Sequence, residues 1–166
     1  MFSRDRAHLY LCRYHEPSPT MYKGPFSANL TLINGLGRYG GGPLSPLAVI
    51  DVEHGKRYRF HIVGASCDPW FNFTVDGHPM TVIETDGVET ETLVVDSLPV
   101  FAGQRYSVVV TANQTVGNYW IRALSNHPNQ TFDGGQSSAI LRYVGASEQD
   151  PTTDHGPYIH TPIRRG

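Results

Sequence analysis

The sequence lacks several features that would assign it to a function class directly. Its 166 residues include only two cysteines, Cys12 and Cys67, which are too few for a disulfide framework and lack the paired spacing of a zinc ribbon. No apolar run approaches the roughly 20 residues that a membrane helix needs. Thirteen Lys plus Arg offset fifteen Asp plus Glu, for a net charge of -2, and no basic stripe is present. These absences argue against a membrane protein and against nucleic acid as a partner.

Motifs for common enzyme chemistry are missing as well. No Gly-x-Ser-x-Gly elbow, phosphate loop or His-Glu-x-x-His string occurs. Eight histidines are more than usual, but no two are separated by a single residue, and neither cysteine is followed closely by the His and Met of a blue-copper centre. The residues alone therefore name no enzyme and no metal site. We expect His54, His61 and His78 to be surface residues.

The composition is typical of a β-sheet protein with a core of its own. Hydrophobic residues make up 39% and charged residues 17%, which indicates a folded globular chain. Seventeen Gly and twelve Pro, scattered without a repeat period, interrupt the chain too often for long helices. The length suits a single domain.

Short alternating runs between turn residues predict about eight strands. In residues 57–62 three apolar side chains alternate with three polar or basic ones, which is typical of a strand with one buried face. Residues 71–75 form the next inward set, and Asp76-Gly77 predicts a tight hairpin into residues 80–84. Further strands are predicted at residues 47–52, 92–95, 106–111, 118–123 and 138–143. The pattern predicts a sandwich or barrel with a core drawn from Tyr58, Phe60, Phe73, Val108, Val110, Trp120, Ile140 and Leu141.

The chain divides into three parts. Residues 1–28 carry charges and then three prolines, and they are interpreted as a divergent, loop-like segment. Residues 29–146 hold the predicted domain, and residues 147–166 are interpreted as a linker or divergent tail. Four Asn-x-Ser/Thr sequons favour an extracellular, glycosylated protein: Asn29, Asn72, Asn113 and Asn129. The N-terminal residues nevertheless have no apolar segment that would direct export.

Several strings occur in a distinctive order. They begin at Thr31 (Thr-Leu-Ile-Asn-Gly-Leu-Gly-Arg), Gly55 (Gly-Lys-Arg-Tyr-Arg-Phe), Ser66 (Ser-Cys-Asp-Pro), Val75 (Val-Asp-Gly-His), Glu84 (Glu-Thr-Asp), Gln104 (Gln-Arg-Tyr-Ser), Asn118 (Asn-Tyr-Trp-Ile-Arg-Ala) and Ser138 (Ser-Ala-Ile-Leu-Arg-Tyr). From about residue 14 to residue 153, the chain resembles the second cupredoxin-like domain of a fungal laccase, a multicopper oxidase. The resemblance implies an all-β, cupredoxin-like Greek-key sandwich. It also implies a parent enzyme that oxidises phenols and aromatic amines while reducing dioxygen to water.

Copper is implied for the full-length enzyme and not for this chain. In the family the ligands lie in His-Trp-His-Gly and His-Ser-His strings of the first domain and around a His-Cys-His string of the third, and the chain contains none of these. The resemblance therefore implies no catalytic residue here. The implied contribution is part of the pocket for a phenolic or aromatic amine substrate, with the first and third laccase domains as partners.

The resemblance carries substrate-binding roles to four residues. Asp68 matches an acid that accepts a hydrogen bond from the substrate, and such an acceptor favours loss of the proton as the substrate is oxidised. Without the resemblance, Asp68 would be interpreted as an exposed turn aspartate before Pro69. Asn126 and His127 match a loop that contacts substrate, where an aromatic residue is commoner than histidine, and Phe26 falls near the pocket wall.

Cys67 matches a cysteine that forms a disulfide with the first domain, whose partner is absent here. Cys12 has no counterpart in the family, and a pairing between Cys12 and Cys67 stays open. Residues 1–13 and 154–166 depart from the family pattern. This departure is expected of a truncated gene product, a misjoined gene model or a splice form, and each of these would also explain sequons without an export signal.

Three functions remain as alternatives. The first is a copper-free domain, a fragment of a secreted laccase-like oxidase, which we expect to be inactive alone. The second is a stand-alone β-sandwich that binds aromatic molecules or a partner without catalysis. The third is a small copper protein that uses the histidines in a new arrangement. They predict, respectively, no phenol oxidation by the chain, measurable phenol binding, and stoichiometric copper.

Overall fold

A computed structural model of the chain describes residues 6–14, 30–39, 42–66, 70–125 and 133–154. Eleven strands occur in these ranges: β1 (Arg6–Tyr14), β2 (Leu30–Ile33), β3 (Val49–Val52), β4 (Arg57–Gly64), β5 (Phe71–Val75), β6 (Met80–Thr85), β7 (Val88–Val95), β8 (Ser97–Val100), β9 (Arg105–Thr111), β10 (Asn118–Ser125) and β11 (Ser138–Tyr143). A short 3-10 turn spans Asp133–Gly135. The described residues contain no helix long and apolar enough to cross a membrane.

The strands form two sheets that enclose one core. The six-stranded sheet has the order β2-β1-β4-β9-β6-β7, and the five-stranded sheet has the order β3-β11-β10-β5-β8. Neighbouring strands are antiparallel, except that β1 is parallel to β4 and β11 is parallel to β3. Buried side chains of both sheets belong to a single apolar cluster. The predicted all-β sandwich is confirmed.

Strand alternation decides which side chains fill this core. In β4, Tyr58, Phe60 and Ile62 are buried, whereas the intervening residues are half-buried or exposed. Each such apolar side chain stabilises the fold by about 1.5–3 kcal/mol. All eight predicted core residues are buried, but Trp120 and Ile140 pack with Leu47 in a separate cluster. Trp120 precedes the core residue Ile121 in β10, so it points to the opposite face of its sheet.

The hairpin predicted at Asp76-Gly77 is wrong. β5 pairs with β10 and β8, whereas β6 pairs with β9 and β7, so this turn carries the chain from one sheet to the other. The Asp76 N–H donates to the carbonyl of Trp120. Because both edges of β5 are already occupied, β6 cannot pair with it. A tight Asp-Gly turn suits a corner between sheets as well as a hairpin.

A different Asp-Gly pair does form a hairpin turn. Asp86 and Gly87 join β6 to β7 with φ angles of 50° and 86°, the left-handed conformation at both central positions that a type I′ turn requires. The same geometry recurs at Asn34 and Gly35, with φ angles of 53° and 79°.

The loop predicted for residues 1–28 is wrong for residues 6–14. These residues form β1, which lies inside the six-stranded sheet between β4 and β2. Leu9 and Leu11 are fully buried, and their alternation in the sequence is the strand signal that the charged N-terminus obscured. Residues 97–100, for which the sequence pattern predicts no strand, form β8, which contains Pro99. It lies at a sheet edge, where proline is tolerated.

Residues 147–154, interpreted from the sequence as part of a linker or tail, lie against the sandwich. The side chain of Arg38 donates two hydrogen bonds to Asp150, at 2.5 and 3.3 Å, and Pro151 is buried. Arg38 also donates to the carbonyls of Ser45 and Gly134. The Arg38 guanidinium therefore joins residues 147–154 to the loops that contain Ser45 and Gly134.

Replacing Gly87 by alanine tests the β6–β7 turn. A Cβ at Gly87 would meet no atom within 4 Å, so the cost is conformational only, and we expect Gly87→Ala to lower the free energy of unfolding by about 1–2 kcal/mol. Gly117→Ala is the matched control, because Gly117 has no positive φ and its Cβ would make only ordinary contacts. Urea unfolding followed by tryptophan fluorescence measures both. An equal effect of the two variants would contradict the assigned turn.

Candidate functional site

The residues to which the resemblance gives binding roles lie outside the described part of the chain. These are Asp68, Asn126, His127 and Phe26, together with Cys67 and the sequons Asn29 and Asn129. Their assignments stay predictions. These residues belong to three segments, 15–29, 67–69 and 126–132. The described residues that flank the segments show where each is attached to the sandwich.

All three segments attach to one end of the sandwich. Residues 65–70 lead from Gly64, the last residue of β4, to the first residue of β5. β1 ends alongside β4, since Leu11 pairs with Gly64 and the Leu11 carbonyl accepts a 2.8 Å hydrogen bond from the Ala65 N–H. Phe71, the first residue of β5, pairs with Ser125, the last residue of β10. Tyr14, Leu30, Ser66, Trp70 and Ser125, which flank the segments 15–29, 67–69 and 126–132, therefore lie at this end, which we call the Trp70 end.

Two aromatic side chains are described at the Trp70 end. The ring centroids of Trp70 and Phe101 are 5.6 Å apart with planes tilted by 36°. Phe101 is 48% exposed, and Trp70 is half-buried. Phe101 follows Val100, which pairs with Phe71, so the two aromatic residues flank the same pair of strands. They form an accessible apolar surface suited to stacking with an aromatic ring.

A glycine allows Phe101 to be held in this position. A Cβ on Gly64 would overlap with the Phe101 carbonyl oxygen, so no other residue fits there without displacing the backbone. The Gly64 N–H donates to the Gln104 carbonyl, and the Gly103 N–H donates to the Gly64 carbonyl. The Phe101 N–H donates to Oε1 of Gln104. Hydrogen bonds to the Gly64 backbone and to the Gln104 side chain thus hold the turn that carries Phe101.

Neither Trp70 nor Phe101 was a candidate from the sequence. A signal for both exists in the strand alternation. Phe71 and Phe73 point inward, so Trp70 must face away from the core, and Leu98 and Val100 place Phe101 in the same way. A large aromatic residue at an outward position is the feature that calls for a functional explanation.

The opposite end contains a buried ion pair. Arg122 on β10 is 1% exposed, and it donates from Nε to Oδ1 of Asp76 at 2.8 Å and from Nη2 to Oδ2 at 2.6 Å. Thr153 donates its hydroxyl to Oδ2 of Asp76 at 2.7 Å, and its carbonyl accepts from Arg122 at 3.2 Å. This bidentate pair joins β10, the turn after β5 and the segment 144–154. We call this end the Asp76 end.

The prediction that His78 lies on the surface is wrong. Its side chain is 2% exposed, with Nδ1 2.7 Å from the Asp76 carbonyl and Nε2 2.7 Å from the Tyr143 hydroxyl. Burial lowers the pKa of the His78 imidazole, against smaller opposing effects of the carbonyl and carboxylate of Asp76. Burial also raises the pKa of the Tyr143 phenol. His54 is exposed as predicted, and His61 is half-buried with its Nδ1 3.0 Å from the Ser107 hydroxyl.

A groove of about 380 Å³ opens beside the Asp76 end. Residues 116–119 at the start of β10 form one wall, and residues 145–147 and 149–153 form the other. The groove wall includes Tyr119, whose hydroxyl donates to the Thr115 carbonyl at 2.8 Å. Its lining is mainly polar, which differs from the aromatic surface at the Trp70 end.

Within the described ranges, no three His, Cys, Asp or Glu side chains come together as a metal-binding group. A polar cluster does lie on the outer face of the six-stranded sheet. There Arg59 forms an ion pair with Glu84 and donates to the Ser107 hydroxyl, which also contacts His61. Arginine and serine are not copper ligands, and this cluster offers one imidazole and one carboxylate that is already paired.

Comparisons with known proteins agree on the chain's relatives. The family model described as "Multicopper oxidase" matches residues 10–146. The chain is 54% identical over 146 residues to Laccase-2 of Trametes villosa and 59% identical over 140 residues to Laccase-1 of Pleurotus ostreatus. These matches cover 88% and 84% of the chain, but only 28% and 26% of the two laccases. The chain thus spans little more than a quarter of these relatives.

Solved structures show the same likeness. The laccase from Botrytis aclada superimposes with a TM-score of 0.79 at 26% identity, over 93% of this chain and 32% of that one. Fet3p, described as a multicopper oxidase that functions in iron import, superimposes with a TM-score of 0.73 at 23% identity, over 96% of this chain and 32% of that one. The predicted cupredoxin-like fold is confirmed by these likenesses.

Removing one partner of the Arg122–Asp76 ion pair should lower the stability of the fold strongly. We expect Arg122→Met to lower the free energy of unfolding by about 3–5 kcal/mol, because it leaves the Asp76 carboxylate buried without its cation. The control is Arg105→Met, since Arg105 forms an exposed ion pair with Asp86 that should contribute at most about 1 kcal/mol. Urea denaturation at neutral pH measures both. Similar losses would show that the buried pair has no special role.

The buried imidazole predicts a loss of stability in mild acid. The unfolded chain binds a proton at His78 below its ordinary pKa of about 6.5, but the folded chain does not until a lower pH. Stability should fall by up to about 1.4 kcal/mol per pH unit as the pH decreases from 6.5 to the lowered pKa. Urea titrations at several pH values should show this slope in the parent and in His54→Gln, but not in His78→Gln. If the slope persists in His78→Gln, groups other than His78 cause the pH dependence of stability.

Proposed function

The chain belongs to the multicopper oxidase family, and we propose that it is the second, copper-free cupredoxin-like domain of a laccase-like oxidase of phenols and aromatic amines. The observation that carries this proposal is the convergence of chain segments at the Trp70 end. The segments that hold Asp68, Asn126, His127 and Phe26 all attach there. Residues as far apart in the sequence as Phe26 and His127 would thus contribute to one surface, as a substrate pocket requires.

Copper is the metal of this family, and the described residues do not fit it. They gather no group of three metal-ligating side chains, and the full sequence lacks the His-x-His and His-Cys-His strings expected from the resemblance. We therefore assign copper to the rest of the enzyme. No step of the proposed role uses a copper ion held by this chain.

The role proposed for this chain is to bind the substrate and to accept its proton. Trp70 and Phe101 would stack against the substrate ring, in line with their exposed aromatic surface. The Asp68 carboxylate would accept the phenol proton, because loss of an electron makes a phenol far more acidic. The amide of Asn126 and the imidazole of His127 would add hydrogen bonds, and Phe26 would form part of the wall.

The rest of the enzyme is the proposed partner. The laccases that match are more than three times as long as the matched region. Exposed apolar side chains are available for packing against additional domains, among them Val88, Leu93 and Val94 on the edge strand β7, at 57–66% exposure. Cys67 would form the disulfide to the first domain.

An extracellular, glycosylated enzyme is part of the proposal. Two sequons lie in described residues, and they differ in accessibility. Asn113 is exposed in the loop after β9, whereas Asn72 is half-buried within β5 and its sequon residue Thr74 is buried. Asn113 is therefore the favoured glycan acceptor of the two.

One observation also favours a stand-alone aromatic-binding module without catalysis. Trp70 and Phe101 are accessible in the chain itself, so they are able to bind a phenol without further domains. Fluorescence titration of the chain with a phenol separates the two functions. Saturable binding that is lost in Phe101→Ala supports the module, and no saturation supports a pocket that needs the other domains.

A chimeric laccase tests the proposed role directly. Residues 10–146 of this chain replace the matching segment of the Pleurotus ostreatus Laccase-1, which is 59% identical. We expect Asp68→Asn in this chimera to lower kcat/KM for a phenol by about 10²-fold, since a positioned base contributes about 10²–10⁴-fold. Oxidation of a metal-complex electron donor, which releases no proton, should be unchanged.

The matched control in the chimera is Asp96→Asn, which removes an exposed carboxylate between β7 and β8. It should leave both activities unchanged. Equal losses for the phenol and the metal complex in Asp68→Asn would indicate damage to folding or electron transfer. That outcome would remove the proton-accepting role of Asp68.

A further inference from the structure

A buried phenol and a buried imidazole form a pair at the Asp76 end that the proposed pocket does not use. Tyr143 is fully buried and His78 is 2% exposed. The Tyr143 hydroxyl oxygen lies 2.7 Å from Nε2 of His78. Tyr119 packs against both, with ring centroids 4.9 Å from His78 and 5.5 Å from Tyr143.

The surrounding groups fix the direction of every hydrogen bond in the pair. Nδ1 of His78 lies 2.7 Å from the Asp76 carbonyl, which can only accept, so Nδ1 carries the imidazole proton. Nε2 is then an acceptor, and the Tyr143 hydroxyl must donate to it. The Gln114 N–H donates to the same hydroxyl oxygen at 3.1 Å, which uses one of its lone pairs. The phenol proton therefore points at a neutral nitrogen base.

We propose that Tyr143 and His78 form a redox-active pair that a one-electron oxidant can convert to a tyrosyl radical. The oxidant takes one electron from the Tyr143 ring and is itself reduced by one electron. The phenol O–H bond breaks, and its proton forms a new N–H bond at Nε2 of His78. The products are a neutral tyrosyl radical, an imidazolium and the reduced oxidant, so charge and atoms balance.

The geometry favours this step at Tyr143 over Tyr58, Tyr106 and Tyr119. An oxidised phenol is a very strong acid, and its oxidation becomes easier when a base takes the proton along a short hydrogen bond. Tyr106 donates to the amide oxygen of Gln104 at 3.3 Å, and Tyr119 donates to the backbone carbonyl of Thr115. Tyr58 accepts a hydrogen bond from the Glu53 N–H. Amide and carbonyl oxygens are far weaker bases than imidazole.

The charged product also has support in the structure. The imidazolium keeps its Nδ1–H bond to the Asp76 carbonyl, and the nearby Asp76 carboxylate favours the positive charge. Burial makes the imidazole a weaker base than in water, but an oxidised phenol is a much stronger acid than any imidazolium, so the proton still moves to His78. Burial also keeps solvent and reductants away from the radical.

Tyr119 supplies a short route for an electron from Tyr143 to the surface. It is half-buried, lines the groove beside the Asp76 end, and contacts Tyr143 and His78. An oxidant at this surface is thus one ring away from Tyr143. Its chemical class is a strongly oxidising metal centre or metal complex that accepts a single electron.

Flash photolysis with a ruthenium polypyridyl complex and a sacrificial electron acceptor tests the pair in the 166-residue chain. The flash generates a one-electron ruthenium(III) oxidant, and freeze-quenching traps the radicals that outlive the exposed ones. Electron paramagnetic resonance should then show a tyrosyl radical. We expect Tyr143→Phe to reduce the yield of the long-lived radical by about tenfold. Tyr106 and Tyr119 donate to amide and carbonyl oxygens rather than to an imidazole, and one charge-assisted hydrogen bond is worth about that factor.

Tyr106→Phe is the matched control, because Tyr106 is half-buried and donates to an amide oxygen. Its long-lived radical should equal that of the parent. The proposal is overturned if Tyr143→Phe retains the radical, or if Tyr106→Phe removes it. Should Tyr143→Phe fail to fold, high-field spectra of the parent decide. A g-tensor shifted by a hydrogen bond from a charged donor supports the pair, and an unshifted tensor overturns it.

Discussion

The ion pair between Arg122 and Asp76 is the interaction on which the Asp76 end depends. Arg122 projects from a central strand of the five-stranded sheet, and Asp76 begins the turn that crosses to the other sheet. A buried carboxylate without a cation would be strongly unfavourable, so the turn is held where the guanidinium can reach it. Two residues further on, the same turn places His78 under Tyr143. Sheet crossing, ion pair and buried histidine are therefore parts of one arrangement.

The two ends of the sandwich have opposite physical character. At the Asp76 end, hydrogen bonds link Arg122 to Asp76 and His78 to Tyr143, and Asp150 and Thr153 bind the segment 144–154 to the sandwich. At the Trp70 end, β1, β4 and β10 finish, and the half-buried Trp70 lies beside the exposed Phe101. Binding residues are commonly carried on connecting segments that a rigid scaffold positions. The buried ion pair and the segment 144–154 thus restrain the Asp76 end, whereas the proposed binding residues belong to the connecting segments at the Trp70 end.

Strand alternation allowed much of the fold to be predicted, and the failures have identifiable causes. The burial of alternate residues in β4 and β5 follows directly from side-chain periodicity. Asp76-Gly77 and Asp86-Gly87 carry the same local signal, but only long-range pairing of β5 decides which is a hairpin. The burial of His78 depends on Tyr143, 65 residues away, and no local pattern reveals it. Trp70 and Phe101 could have been inferred, because alternation places them outside the core.

The two phenol chemistries proposed for this chain obey the same rule and differ in access. A phenol gives up an electron readily when a fixed base takes its proton, whether the phenol is a bound substrate beside Asp68 or the side chain of Tyr143 beside His78. A carboxylate suits a pocket that must exchange substrate with water, where a charged base is solvated between turnovers. A neutral imidazole suits a buried pair, because an uncompensated buried carboxylate would be costly. In the two proposals, the carboxylate therefore serves the phenol that exchanges with water, and the imidazole serves the phenol that is buried.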